Sequence, residues 1–313
     1  MSALLRSLAG CLLAATLAAA AEPLPFTAGS TVAGRLASGG QERTFRLHVP
    51  RDLRAGAAVV LVFHGTGGDA ASMVSVTGFD ALADQGGFVV AYPEALGGNW
   101  LDLAHGGAAD RNTDFAVDLV DAIAATVSID QRRIYATGLS AGGTMSLLLA
   151  CDARGRFAAV APVAGALSPG TLGLIDGMRR PTSVLMINGT ADAIVPYWGG
   201  ALNWTGANTT VAPAPTTAWT IAGRDGCGFF PAWSELPDTA WWDSCRAQRT
   251  RWTGGLGGSE VELWTIVGGG HTWPGSRIWL PWFVFGGTCY DIDGTAEIWS
   301  FFQRHPRAGS PAG

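Results

Sequence analysis

The sequence predicts an α/β domain built on a mostly parallel, doubly wound sheet with helices on both faces. Two observations carry this reading. After about residue 40, short apolar runs alternate with stretches of helical periodicity. Several runs are rich in β-branched residues and bounded by glycine or proline, as strands buried on both faces tend to be. Strands that alternate with helices imply crossover connections, which lay helices against a parallel sheet.

Taken in order, the chain opens with Met1-Ser-Ala-Leu-Leu-Arg6, an apolar stretch to Leu17 and small residues from Ala18 to Ala21. A positive start, an apolar middle and a small-residue end are the marks of a secretory signal peptide over 1–21, cleaved near residues 20–21. Leu8-Ala-Gly-Cys11 offers a lipoprotein alternative, disfavoured because the apolar run continues beyond Cys11. Residues 22–40 read as an N-terminal extension, 41–306 as the main domain and 307–313 as a disordered tail. Strands are expected at 43–49, 58–63, 88–92, 133–137, 159–163, 183–187 and 261–266. Helices are expected at 113–127, 141–150 and 296–303. The first of these spaces Phe115, Leu119, Val120, Ile123 and Val127 along one helical stripe, with Asp114, Asp118 and Asp121 off it. Residues 196–258 break the rhythm: rich in Trp, Gly, Pro, Asn and Thr, they read as an insertion packed on the sheet's upper edge, with periodicity only near 218–221.

Composition narrows the function. A net charge of −5 without charge blocks gives no nucleic-acid footprint. No segment after the leader is apolar for long enough to span a bilayer, so a soluble protein, secreted or periplasmic, is expected. Export permits disulfides. Cys227 and Cys245 share the Gly/Trp/Pro-rich stretch and are the expected pair; Cys151, at a helix end, reads as a buried thiol. The absence of any CxxC pair argues against structural zinc. Asp291-Ile-Asp293-Gly294 lacks the full ligand spacing of a calcium loop and reads as a helix start. No metal or cofactor is expected.

Chemistry enters at Gly138-Leu-Ser140-Ala-Gly142-Gly143, which follows the 133–137 strand and opens a small-residue helix. G-x-S-x-G at a strand-to-helix turn is the nucleophile elbow of α/β hydrolases, and marks Ser140 as nucleophile. A serine hydroxyl needs a base, and the partners follow in the order Ser, acid, His. Only His271 and His305 come after Ser140. His305 closes the terminal helix, where a surface or capping role is expected. His271 sits behind Gly268-Gly-Gly270 just past a strand, where loose backbone would let the ring swing to the serine. Among Asp152, Asp176, Asp192, Asp225, Asp238 and Asp243, only Asp192 closely follows a strong strand, and sheets of this kind place their sites at strand C-termini. For the oxyanion, the expected donors are the backbone N–H groups of Ala141 and of Thr66, with Gly65 second, in His64-Gly65-Thr66-Gly67. His64 precedes the serine and reads as orienting that loop.

"SIDQRRIYATGLSAGGTMS", "NGTADAIVPYWGG", "GGGHTWPG" and "DIDGTAEIWSFFQRH" together resemble the polyhydroxybutyrate depolymerase and feruloyl esterase family of secreted α/β hydrolases, related to carbohydrate esterase family 1. The resemblance spans roughly residues 40 to 306. It implies a Ser140, Asp192, His271 triad, ester hydrolysis through an acyl-enzyme and no cofactor. Thr66 and Asn188 depart from the family, many of whose polymer-degrading members carry cysteine and histidine there. The expected substrate is an ester, polymeric ones included: a polyester, or a feruloylated or acetylated polysaccharide. Trp273, Trp279, Trp282, Phe283 and Phe285 cluster after His271, Trp198 follows Asp192, and Trp100 follows Tyr92-Pro93. Trp100, Trp198, Trp273, Trp279 and Trp282 are therefore the expected substrate wall. The rival reading is a non-catalytic polymer- or wall-binding protein on a hydrolase scaffold, using the same tryptophans as a contact face.

Overall fold

The computed structural model describes residues 23–308 apart from 101–107, 153, 179, 203–208 and 279. The expected signal peptide, Cys11, Trp279 and the end of the tail lie outside the described residues. No described helix is long and apolar enough to cross a membrane.

The sheet grows outward from a strand with no polar face. β3 (Ala57–Phe63) reads Ala-Ala-Val-Val-Leu-Val-Phe and is buried at every position, because helices cover both of its sides. Val59, Leu61 and Phe63 enter one core and Ala58, Val60 and Val62 the other, as the two-residue period of a strand requires. β4 (Val89–Pro93), β5 (Ile129–Leu139), β6 (Ala159–Val163), β7 (Ser183–Gly189) and β12 (Val261–Val267) join it in parallel. On one flank, β1 (Ser30–Ser38) and β2 (Gln41–Val49) form a hairpin that joins the sheet through β2, which runs antiparallel to β4. On the other, β11 (Arg246–Trp252) pairs antiparallel with β12, and β10 (Ala232–Glu235) pairs antiparallel with β11 to end the sheet. β8 (Gly200–Ala201) and β9 (Thr210–Val211) form a separate two-stranded ribbon. The order across the large sheet is β1-β2-β4-β3-β5-β6-β7-β12-β11-β10, the mixed, mainly parallel sheet of an α/β-hydrolase fold.

Helices α3 (Ala108–Thr126), α4 (Ala141–Ala150) and α6 (Ala214–Arg224) supply Phe115, Leu119, Ile123, Leu147 and Ile221 to the first core. Helices α1 (Ala70–Thr77), α2 (Phe79–Gly86) and α8 (Gly294–Arg304) supply Met73, Phe79, Ile298, Phe301 and Phe302 to the second. Each such side chain contributes about 1.5–3 kcal/mol on burial. Two short helices, α5 (Pro169–Leu172) and α7 (Trp282–Phe285), lie in connections. Asp293 caps α8 by accepting from the Thr295 and Ala296 amides, so the Asp291-Ile-Asp293-Gly294 stretch includes the expected helix start.

Several expectations change. Residues 30–38, read as extension, are an edge strand paired with β2 along its length. The supposed insertion contains α6 and two strands of the main sheet; its strands are short or charge-bearing, which hid their period. All four cysteines of the described residues are free, and Cys245 lies beside Cys289 rather than Cys227. The cause is register. Arg246 pairs with Val267, which carries Cys245 to the C-terminal end of β12, whereas the Cys227 thiol faces the Ser259 carbonyl ahead of that strand. A seven-residue strand separates the two by roughly 20 Å.

Candidate active site

Because β3, β5, β7 and β12 run in parallel, the loops that leave their C-terminal ends share one edge of the sheet. That edge holds Gly65 and Thr66, Ser140, Asp192 and His271.

Ser140 sits between the last residue of β5 and the first of α4 with φ 59° and ψ −120°, a conformation that costs a side-chain-bearing residue about 1–3 kcal/mol. Its N–H donates to the Val163 carbonyl at 2.8 Å. The flanking glycines are forced by the neighbouring backbone. A Cβ on Gly138 would lie 2.5 Å from the Phe63 oxygen, one on Gly142 2.2 Å from the same atom, and one on Gly143 2.8 Å from the Val163 oxygen. The turn is thus wedged between β3 and β6, and its strain is held by packing.

Asp192 and His271 meet directly. Asp192 Oδ1 accepts from the Ile194 and Val195 amides at 2.8 Å each, and Oδ2 lies 2.7 Å from His271 Nδ1. Both side chains are buried. A carboxylate on Nδ1 fixes the proton there and leaves Nε2 as the ring's acceptor. The glycines before His271 serve closeness rather than looseness, which corrects the sequence reading. A Cβ on Gly189 would lie 2.2 Å from the Gly269 oxygen, and one on Gly270 2.1 Å from the Phe285 oxygen. The His271 N–H donates to the Phe285 carbonyl and the Gly270 N–H to Gly287 at 2.9 Å. The Phe285 ring lies nearly parallel to the imidazole, 6.5 Å centroid to centroid. Residues 285–287 are therefore a strap on the histidine, signalled in the sequence only by the Gly286-Gly287 pair.

Gly65 abuts the serine: a Cβ on it would lie 3.2 Å from Ser140 Cβ. Its carbonyl is held by His64 Nδ1 at 2.8 Å and by the Gly68 amide at 3.0 Å. The Ala95 N–H donates to His64 Nε2 at 3.1 Å, so Nδ1 carries the proton and donates to Gly65. Holding that carbonyl turns the Thr66 N–H, on the opposite side of the same planar peptide, away from His64. The Ala141 N–H opens α4, where the first amides lack intrahelical acceptors.

Two of the expected wall residues are elsewhere. Trp100 is fully buried, donates to the His64 carbonyl at 2.8 Å and packs edge-on against Phe63. Trp273 is buried too, donates to Thr295 Oγ1 at 2.9 Å and packs edge-on against Phe79. Both turn into the core because an indole N–H finds a partner there. Trp198 and Trp282 are each 71% exposed, as is Phe283 at 73%. His305 is the C-cap of α8, the capping role expected for it; half-buried at the opposite end of β12, it lies 4.0 Å from Glu260, and desolvation pulls it down to about 4.

Residues 46–197 match the family profile described as Esterase PHB depolymerase. A putative esterase, NocK, from Nocardia uniformis subsp. tsuyamanensis is 34% identical over 81% of this chain and 77% of its own length. A probable feruloyl esterase C from Aspergillus terreus is 31% identical over 50% of this chain and 58% of that protein. Poly(3-hydroxyalkanoate) depolymerase C from Paucimonas lemoignei is 34% identical over 38% of this chain and 30% of that protein. This chain therefore spans less than two thirds of the last two. Among solved structures, acetyl xylan esterase from Aspergillus awamori aligns with a TM-score of 0.58 at 17% identity, covering 87% of this chain and 99% of that one, which is a likeness of fold.

Proposed function

The chain belongs to the PHB depolymerase family of esterases, and on that footing we propose that it cleaves carboxylic esters through an acyl-enzyme on Ser140. The observation that carries this reading is the buried 2.7 Å pair of His271 and Asp192 at the same sheet edge as the strained serine turn. His271 Nε2 takes the Ser140 proton as Oγ attacks the ester carbonyl. The tetrahedral oxyanion receives the Ala141 and Thr66 amides, and each such donor is worth about 10²–10³ in rate. The intermediate collapses, the alcohol leaves with the proton from His271, and water activated by the same nitrogen releases the acid.

Support for the substrate class is the exposed ring set of Trp198, Trp282 and Phe283 on segments that adjoin Asp192 and His271. Together with the relatives' names it favours esters with a large apolar or aromatic part, whether in a polyhydroxyalkanoate or on a feruloylated or acetylated polysaccharide. The positive start, apolar middle and small-residue end of residues 1–21 support a reading in which the chain is exported to where such polymers lie. The test is turnover of p-nitrophenyl esters, methyl ferulate, acetylated xylan and polyhydroxybutyrate film by the full chain and by Ser140→Ala and His271→Ala. Hydrolysis of at least one ester, lost in both variants, is expected. Turnover retained by either variant, or hydrolysis of none by the parent, would refute the assignment; the latter, with retention on insoluble polymer, is the outcome of a binding protein.

A further inference from the structure

We infer that Cys245 and Cys289 form a disulfide that locks the strap holding His271. The two Sγ atoms lie within 4.8 Å of each other and both residues are buried. Cys245 ends the turn before β11, directly after Ser244 at φ 58°. Cys289 lies two residues past the strap and anchors it: Gly287 bridges to Gly269, accepts from the Gly270 amide and from Thr272 Oγ1, and the Cys289 carbonyl accepts from Gly275 at 2.8 Å. A bond between them closes a covalent ring over residues 245–289 that contains β11, β12 and His271 itself.

Asp243 is the third group within that cluster, which raises a metal as the competing occupant. Its oxygens are already used: Oδ1 accepts from the Cys245 amide at 2.8 Å and Oδ2 from the Tyr290 amide at 2.7 Å. It positions both cysteine-bearing turns instead of offering a free ligand, and two thiols alone make a poor metal site.

The step is thiol–disulfide exchange with an external disulfide as oxidant. Hydrogen bonding from the Cys245 thiol, with help from the Asp291 amide, lowers Cys289 against the opposing effect of burial, which makes it the attacking sulfur. Its thiolate displaces one thiolate from the external disulfide, giving a mixed disulfide. The Cys245 thiolate then attacks Cys289 Sγ and expels the second. Two protons and two electrons leave the pair, and the oxidant departs as two thiols. Because both sulfurs are buried, exchange occurs before the sheet edge closes or from an opened strap.

The test is made on the full chain refolded with glutathione disulfide, alkylated under denaturing conditions and digested. A peptide pair joined through Cys245 and Cys289 is expected, with Cys151 and Cys227 alkylated. Reduction should lower Tm by about 5–10 °C and leave the Tm of a Cys245→Ser/Cys289→Ser double variant unmoved. Both thiols found alkylated after oxidation, a bridge to Cys227, or zinc retained in the native mass and removed by a chelator would overturn the assignment. So would a joined pair whose reduction leaves Tm unchanged, since the strap would then not be held by it. None of these readouts depends on the proposed esterase mechanism.

Discussion

The two ends of β12 handle buried carboxylates in opposite ways. At the C-terminal end, Asp192 is stabilised by two backbone amides, with the His271 ring on its second oxygen. At the N-terminal end, Glu260 receives both arms of Arg251 at 2.8 Å, and Glu262 receives Arg304 at 2.9 Å and the Trp264 indole at 2.7 Å. Cations neutralise the second cluster, so its charges satisfy one another and their role is structural. Amides hold the first carboxylate without neutralising it, which leaves its charge to act on the imidazole. The lesson is that what solvates a buried acid decides whether its charge is left to act on a neighbour.

The contrast can be broken most sharply at Ser140 or His271. Alanine at either should reduce kcat/KM by about 10⁴-fold or more while Tm changes little, since neither holds the core together. Asp192→Asn should cost about 10³–10⁴-fold through the wrong histidine tautomer. An equally conservative Glu262→Gln should leave kcat/KM within a few-fold. Steady-state kinetics on one soluble ester decides both.

The charged end should reveal itself in pH. Burial and the neighbouring Glu260 push Glu262 up to about 7; its stabilising contribution is full below its ordinary 4.5 and lost as pH rises through 7. Burial pulls His305 down to about 4; its contribution is present above 6.5 and lost as pH falls through 4. Burial opposes the Arg251 contacts at Glu260, which nonetheless hold it at about 2, below this window. Between 4.5 and 6.5 the Glu262 and His305 slopes oppose each other. Glu262→Gln should therefore make Tm fall more steeply than in the parent as pH is lowered from 6.5 to 4; an unchanged slope would count against the assignment of these groups.

The smallest effects separate the tryptophans. Trp273→Phe should cost about 1 kcal/mol by removing its bond to Thr295 without altering KM. Trp282→Ala should raise KM for aromatic or polymeric esters several-fold without altering Tm. Denaturant titration and Michaelis–Menten kinetics on the two variants test this.

The sequence made the parallel core and the serine turn legible because β3 and β6 are apolar throughout and G-x-S-x-G has a steric cause that glycine alone meets. Helix α4 was bounded at its observed ends for the same reason. β1, β10 and β11 were hidden: a strand at or near a sheet edge keeps one polar face, and Arg246-Ala-Gln-Arg-Thr-Arg-Trp252 reads as surface. Indole direction was hidden as well, because proximity in sequence to His271 does not say whether Trp273 faces solvent or Thr295. The cysteine pairing failed because both candidates lie in one stretch of chain whose hairpin register, invisible to composition, carries them to opposite ends of β12.

Fluorophosphonate labelling followed by peptide mapping, in the parent chain and in Asp192→Asn, bears most directly on the proposed catalytic edge. A single adduct on Ser140, formed about 10³-fold more slowly in the variant at equal Tm, is the expected result. An adduct on another residue, or equal rates in the two proteins, would contradict it.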